Sequence, residues 1–194
     1  MKLGTAAVGL TFCLSALAGA AEEPKLLAKV TPLPVALNKD FEFRKTKLYL
    51  LTEKAPKQGT QRKATSLSPG ALSSTAPQRT IVNQDSSIAF ERQYRLFGAV
   101  THFDQHQRFG NYFDFFWRAK RPADLTVRLE YRQEKLRDLV QAQEISYRNV
   151  HGTHQTEFKV IGDDYFDDGR VIAWRCLLIE NGQIVAEDRS YLWE

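Results

Sequence analysis

From Phe41 onward a period of two dominates the apolar pattern and helical stripes are scarce, which restricts what the chain can fold into. Leu125, Val127, Leu129 and Tyr131 alternate with Thr126, Arg128, Glu130 and Arg132. Successive side chains of a strand point to opposite faces, so such a segment buries one face and wets the other. The run 171–179 is nearly all apolar, as expected of a central strand covered on both faces, with Arg175 the exception. Asn181-Gly182 then separates two apolar runs, and both residues accept the positive φ of a type I′ turn. The last two strands are therefore expected to form a tight hairpin. Further strands are read near 80–83, 88–90, 93–102, 111–119, 125–132, 142–149, 156–161 and 184–193, with an earlier one across 41–51. A short helix is expected within 134–143.

Strands at this spacing, joined by short connections, point to an all-β antiparallel sandwich of the immunoglobulin-like or fibronectin-III-like kind, with a closed antiparallel β-barrel as the alternative. The stretch Asp168-Gly169-Arg170-Val171-Ile172-Ala173-Trp174-Arg175-Cys176, followed by Glu180-Asn181-Gly182-Gln183 and ending in Leu192-Trp193, resembles the last hairpin of bacterial exported immunoglobulin-like domains. Antibody-type domains carry a tyrosine two positions before the cysteine, where this chain has Trp174. The resemblance implies architecture, and architecture does not fix function.

The amino terminus reads as an export signal. Lys2 precedes an apolar stretch over 8–17 and the small-residue series Ala18-Gly19-Ala20-Ala21, the order that signal peptidase reads. The stretch is shorter than the roughly 20 residues a membrane span needs, so residues 1–20 are expected to be removed and no transmembrane span is expected in the mature chain. A periplasmic or secreted location follows. Of the two cysteines, Cys13 leaves with the signal and Cys176 remains, so the domain must hold itself together by packing.

The formal net charge is +4, yet its layout is uneven. Residues 44–79 hold eight Lys or Arg against one acid, while residues 80–194 hold 15 basic and 18 acidic side chains. The segment 54–79, rich in Ala, Pro, Gln, Ser and Thr, is read as a flexible basic linker between an N-terminal segment (21–53) and the main domain (80–194). Such a linker suits an anionic surface; a nucleic-acid partner is not expected, because the main domain is mildly acidic.

Candidate sites are few. Asp163, Asp164, Asp167 and Asp168 gather four carboxylates before Gly169, the donor type that calcium takes from a short loop, although Asx turns produce the same composition. If successive strands alternate in direction, the connections 103–110, 133–141 and 162–170 share one end of the domain, and 120–124, 150–155 and 180–183 share the other. The pairs His102/His106 and His151/His154 then lie too far apart to make one metal centre. Tyr112 and Phe116, on the strand face opposite Phe113, Phe115 and Trp117, are expected beside Arg118 as a binding surface for a protein or a glycan, the alternative being cover by the N-terminal strand or another strand of the fold. No nucleophile elbow, zinc-helix motif or phosphate-cradling loop is present in the sequence, and no cofactor is expected. The leading expectation is a non-enzymatic exported binding or assembly module acting through loops or a sheet edge. The alternatives are a barrel-like carrier of a small apolar ligand and an enzyme at the loop end near His106 and Asp163.

Overall fold

The computed structural model describes residues 23–27, 29–53 and 84–193. The expected signal segment 1–20, the expected linker 54–79 and the strand expected at 80–83 lie outside the described residues. In chain order the elements are β1 (Lys25–Leu27), β2 (Phe41–Leu51), α1 (Gln84–Leu96), α2 (His102–His106), β3 (Gly110–Gln133), β4 (Val140–Ile161), α3 (Asp163–Asp168), β5 (Val171–Glu180) and β6 (Gln183–Arg189). The strands form one six-stranded antiparallel sheet in the order β1-β4-β3-β5-β6, with β2 on β3. The N-terminal strand therefore belongs to the same sheet as the rest. The sheet is not closed into a barrel.

The strands expected at 111–119 and 125–132 are one continuous strand, β3, and those at 142–149 and 156–161 are likewise one, β4. Sequence reading splits them because Pro122 and Gly152 resemble breakers. Both sit at irregularities within the ladder, where pairing passes from Ala119↔Gly152 to Ala123↔Val150 and Leu125↔Tyr147. Proline, which lacks an N–H, is accommodated in sheets at edges and bulges, and here the bulge turns the strand. Asn149, at φ 48°, donates its backbone N–H to Asp124 Oδ1 (2.6 Å) and fixes the partner strand at the same level.

That bend folds the sheet over itself. A straight strand of this length would reach roughly 80 Å. Instead, the short α3 region touches both ends of β3: Gly162 N donates to Phe109 O (2.9 Å), and Gln133 Nε2 donates to Asp164 O and Gly169 O (2.8 and 2.7 Å). The two halves of β4 also meet, with Gln143 Nε2 donating to Lys159 O (2.9 Å) and the Tyr147 hydroxyl bonded to Thr156 Oγ1 (2.8 Å). Connections at 103–110, 133–141 and 162–170 do gather at one end, and 120–124 lies beside 180 at the other, where Arg121 pairs with Glu180 (2.7 Å).

The first half of β3 pairs with β2 and its second half with β5, so one strand supplies both layers of the core. Phe113, Phe115, Trp117 and Phe158 from one layer meet Leu125, Val127, Leu129, Trp174, Cys176 and Leu178 from the other. Phe115 contacts Phe43, Phe158 and Trp174 with ring centroids 5.4–6.2 Å apart, within the range of favourable edge and tilted contacts. Trp117 Nε1 is satisfied by Thr156 Oγ1 (2.9 Å), which lets a tryptophan be fully buried.

Two secondary-structure expectations are corrected. Residues 88–90 and most of 93–102 are not strands: 84–96 is helix α1, followed by a turn. Its helical signature is the Glu91–Arg95 pair (2.8 Å), four residues apart on one face. The helix expected within 134–143 is instead a tight turn leading into β4, in which Arg137 adopts φ 54°. The final hairpin forms as expected, with Asn181 at φ 50° and Gly182 at φ 74°.

Candidate functional site

The sheet stops short of closure at one seam, between β2 and β6. Leading into β2, residues 34–38 run parallel to the start of β6. Ile184 N donates to Pro34 O, Ala36 N to Ile184 O and Asn38 N to Val185 O (each 2.9 Å). The chain then turns at Asn38–Asp40, where Asn38 Oδ1 accepts from Asp40 N (3.0 Å), and enters β2. Beyond that turn β2 and β6 continue side by side in the same direction. Among the described residues no backbone ladder joins them. Across the seam Thr46 Oγ1 donates to Asp188 Oδ2, a bond between side chains.

The seam is a groove of about 870 Å³. Its floor is apolar, with Phe41, Phe43, Val185 and Ala186, and its rim carries charges of both signs, including Lys45, Lys120, Glu187 and Asp188. Local folding explains each part. Phe41 is locked by Lys120 N donating to Asp40 O (2.8 Å) and by the Arg121 guanidinium 4.8 Å above its ring. A register shift between Phe43 and Lys45 interrupts the β2–β3 ladder alongside the groove. An edge strand offers alternate N–H and C=O groups outward, so the seam presents two such rows over an apolar floor. That arrangement suits an extended chain with apolar side chains at every second position.

The sequence-expected residues are placed elsewhere. Asp163, Asp164, Asp167 and Asp168 lie on α3, a helical turn in place of an open loop, and the contacts of three of them go to different partners. Asp163 Oδ1 accepts from Gln107 Nε2 (3.4 Å), Asp164 contributes its backbone oxygen to Gln133, and Asp168 Oδ2 accepts from Gln141 Nε2 (3.5 Å). Gly169 ends the turn at φ 86°. No group of three or more potential metal ligands converges among the described residues. The histidines do not converge either: His106 stacks on Phe166 (3.9 Å), His154 on Trp117 (4.9 Å), and His102 is an exposed neighbour of Glu53.

The expected surface of Tyr112, Phe116 and Arg118 is divided. Tyr112 is corrected from exposed to buried, 5 % accessible, beneath the Arg95 guanidinium of α1, 3.9 Å from its ring. Its hydroxyl donates to Arg108 O (2.6 Å), and burial pushes its pKa up to about 12. Phe116 is half-buried beneath Lys47 (5.4 Å), and Arg118 is exposed. The cover over Tyr112 comes from α1, which the strand reading of 88–102 hides, and that over Phe116 from Lys47 of the N-terminal strand β2.

Around Tyr112, Arg95 also pairs with Glu91, Glu157 and Asp114 (2.8, 2.9 and 3.5 Å). Burial raises the Glu157 pKa, but hydrogen bonds from Lys159 and Arg95 outweigh it and hold the carboxyl below its ordinary value. The thiol of Cys176 is buried, and desolvation pushes its pKa well up, as for an inert core cysteine. No described helix is long and apolar enough to cross a membrane. Comparison with known proteins returns no matching family model, no matching curated protein and no matching solved structure.

Proposed function

We propose that this chain is a non-enzymatic exported binding module that takes an extended segment of a protein partner into the seam between β2 and β6. The observation that carries this reading is the seam itself: two neighbouring strands with an apolar floor and no shared ladder. A partner segment lying along the groove gains main-chain hydrogen bonds from the free edge groups of one strand and specificity from side chains set against Phe41, Phe43, Val185 and Ala186. Export to the periplasm or beyond rests on the signal-like order of residues 1–20. The likeness of the final hairpin to exported immunoglobulin-like domains agrees with this use, since such domains offer edge strands to partners. A carrier of small apolar ligands fits less well, because Phe113, Phe115, Trp117 and Trp174 occupy the interior that a ligand would need.

The test uses peptides selected from a random display library on the full chain. In the Thr46→Cys/Asp188→Cys variant, oxidation ties β2 to β6. Selected peptides are expected to lose binding on oxidation and regain it on reduction. Peptides that bind the oxidised and reduced forms equally would place the site elsewhere and overturn the reading.

A further inference from the structure

Beyond α1 the outer face of the β2–β3–β4 ladder is open, and it is basic. Residues paired across antiparallel strands share a face. The register therefore places Lys47 beside Asp114, Lys45 and Gln155 beside Phe116, and Thr153 beside Arg118, all on the side opposite the core. Arg44 and Lys120 join them, because both reach Glu42 (3.1 and 3.9 Å), the residue paired with Arg118. Helix α1 covers the start of this face, where Arg95 lies over Tyr112. What remains is a strip from Lys47 to Lys120, about 20 Å long at the usual rise of a strand. Its acids are already engaged: Glu42 is shared by Arg44 and Lys120, and Asp114 meets Arg95 (3.5 Å) and accepts from Gln155 Nε2 (3.1 Å). Lys45, Lys47 and Arg118 are exposed and form no ion pair among the described residues.

Cations held this close on a rigid sheet raise the local potential and draw a polyanion. The other side chains of the strip select which kind. Among its described residues Phe116 is the only large apolar side chain, half-buried with Lys47 5.4 Å from the ring centroid. No open ring is therefore offered for a nucleic-acid base to stack on. The strip likewise lacks the apolar side chains that enter a bilayer and the apolar centre of a protein interface. Between the cations stand Thr153 and Gln155, both exposed, with the hydroxyl and amide groups that bond sugar hydroxyls. We infer that this strip binds an acidic polysaccharide, whose carboxylates meet Lys45, Lys47 and Arg118 and whose hydroxyls meet Thr153 and Gln155. Arg44, Lys45 and Lys120 also border the seam between β2 and β6, but Lys47 and Arg118 lie outside that groove. Polysaccharide binding here does not require a partner in the seam.

The probe is a fluorescein-labelled oligogalacturonate, titrated with the full chain and followed by anisotropy, beside a labelled neutral dextran oligomer and a labelled oligothymidylate. The acidic sugar is expected to bind, more weakly as salt rises, and the neutral one not to bind. Lys47→Glu/Arg118→Glu should weaken binding about tenfold. Arg137→Glu/Arg170→Glu makes the same change in net charge at exposed positions on the turns at the far end of the domain, and should change binding by less than about twofold. All variants share the rest of the chain, so its other charges cancel. Unchanged thermal unfolding verifies the fold, and Arg118→Gln, which removes one charge without adding another, repeats the comparison with less perturbation and should also weaken binding. Absence of binding to the oligogalacturonate, or equal weakening by the two charge-reversal variants, would overturn the inference. So would tighter binding of the oligothymidylate, since the strip would then be a nucleic-acid surface.

Discussion

The two faces of β3 bury the same strand by opposite means. On the inner face, Phe113, Phe115, Trp117, Leu125, Val127, Leu129 and Tyr131 make an apolar core. On the outer face of its second half, Glu130 is 1 % exposed and held by ions: Arg175 Nε and Nη2 both lie 2.7 Å from its Oε2, and Arg128 Nη1 lies 3.5 Å from its Oε1. Arg128 in turn reaches Glu144, and Trp193 packs between the guanidinium groups of Arg132 and Arg175 (4.9 and 5.1 Å). Apolar burial is roughly proportional to area and tolerates imperfect geometry, whereas a buried ion network is stable only while every member is present. Shape therefore governs the inner face and completeness the outer one.

Truncation of the inner face should have the largest effect. Trp117→Ala opens a cavity beside Tyr147 and His154 and removes one of the two hydrogen bonds to Thr156 Oγ1, and should cost about 3–5 kcal/mol by denaturant unfolding. On the outer face, Glu130→Ala leaves Arg128 and Arg175 facing each other without their carboxylate and should cost about 3 kcal/mol. The paired change Glu130→Leu/Arg175→Leu should recover much of that loss. If the double variant were as unstable as the single one, the contrast between the faces would be wrong.

A smaller effect concerns α1, which is held to the first half of β3 through Arg95. The folded-state pKa of Glu157 is depressed, so its contribution is present above the unfolded carboxylate pKa and lost as pH falls through the folded value. Acidification should therefore release α1 before the sheet, seen as faster amide exchange at 87–96 while 113–117 stays protected. Arg95→Ala should produce the same release at neutral pH. The smallest effect is expected at Cys176: no thiol labelling in the native protein and full labelling on denaturation, because the group is buried and its thiolate disfavoured.

Which parts of this were legible in the sequence follows the range of the interactions. The β5–β6 hairpin is local, and Asn181-Gly182 specifies it. The alternation of 125–131 separates the apolar core from the polar face, but that polar face is not wet as expected: Arg128 and Glu130 are 8 and 1 % exposed because β5 and the ion network cover them. Pro122 and Gly152 mislead because one residue type serves loops and bulges alike, and the pairing of Ala119 with Gly152 depends on residues far apart in the chain. Helix α1 lies where strands are expected at 88–90 and 93–102, and the local helical signal there is the Glu91–Arg95 interval. Arg175 stood out as the exception in an apolar run, but its partner Glu130, 45 residues earlier, becomes visible only once β3 and β5 are in register. The seam between β2 and β6 has no sequence signature, since it is defined by a ladder that fails to form.

Hydrogen–deuterium exchange along β2 and β6 tests the open seam most directly. Backbone amides at 42–46 and 186–188 that point across the seam should exchange quickly in the free protein, while those paired to β3 and β5 stay protected. Addition of a selected extended peptide should then protect the fast set. Slow exchange of every amide in both strands without a partner would mean that the sheet closes on itself there, and would contradict the assignment of this edge as a binding site.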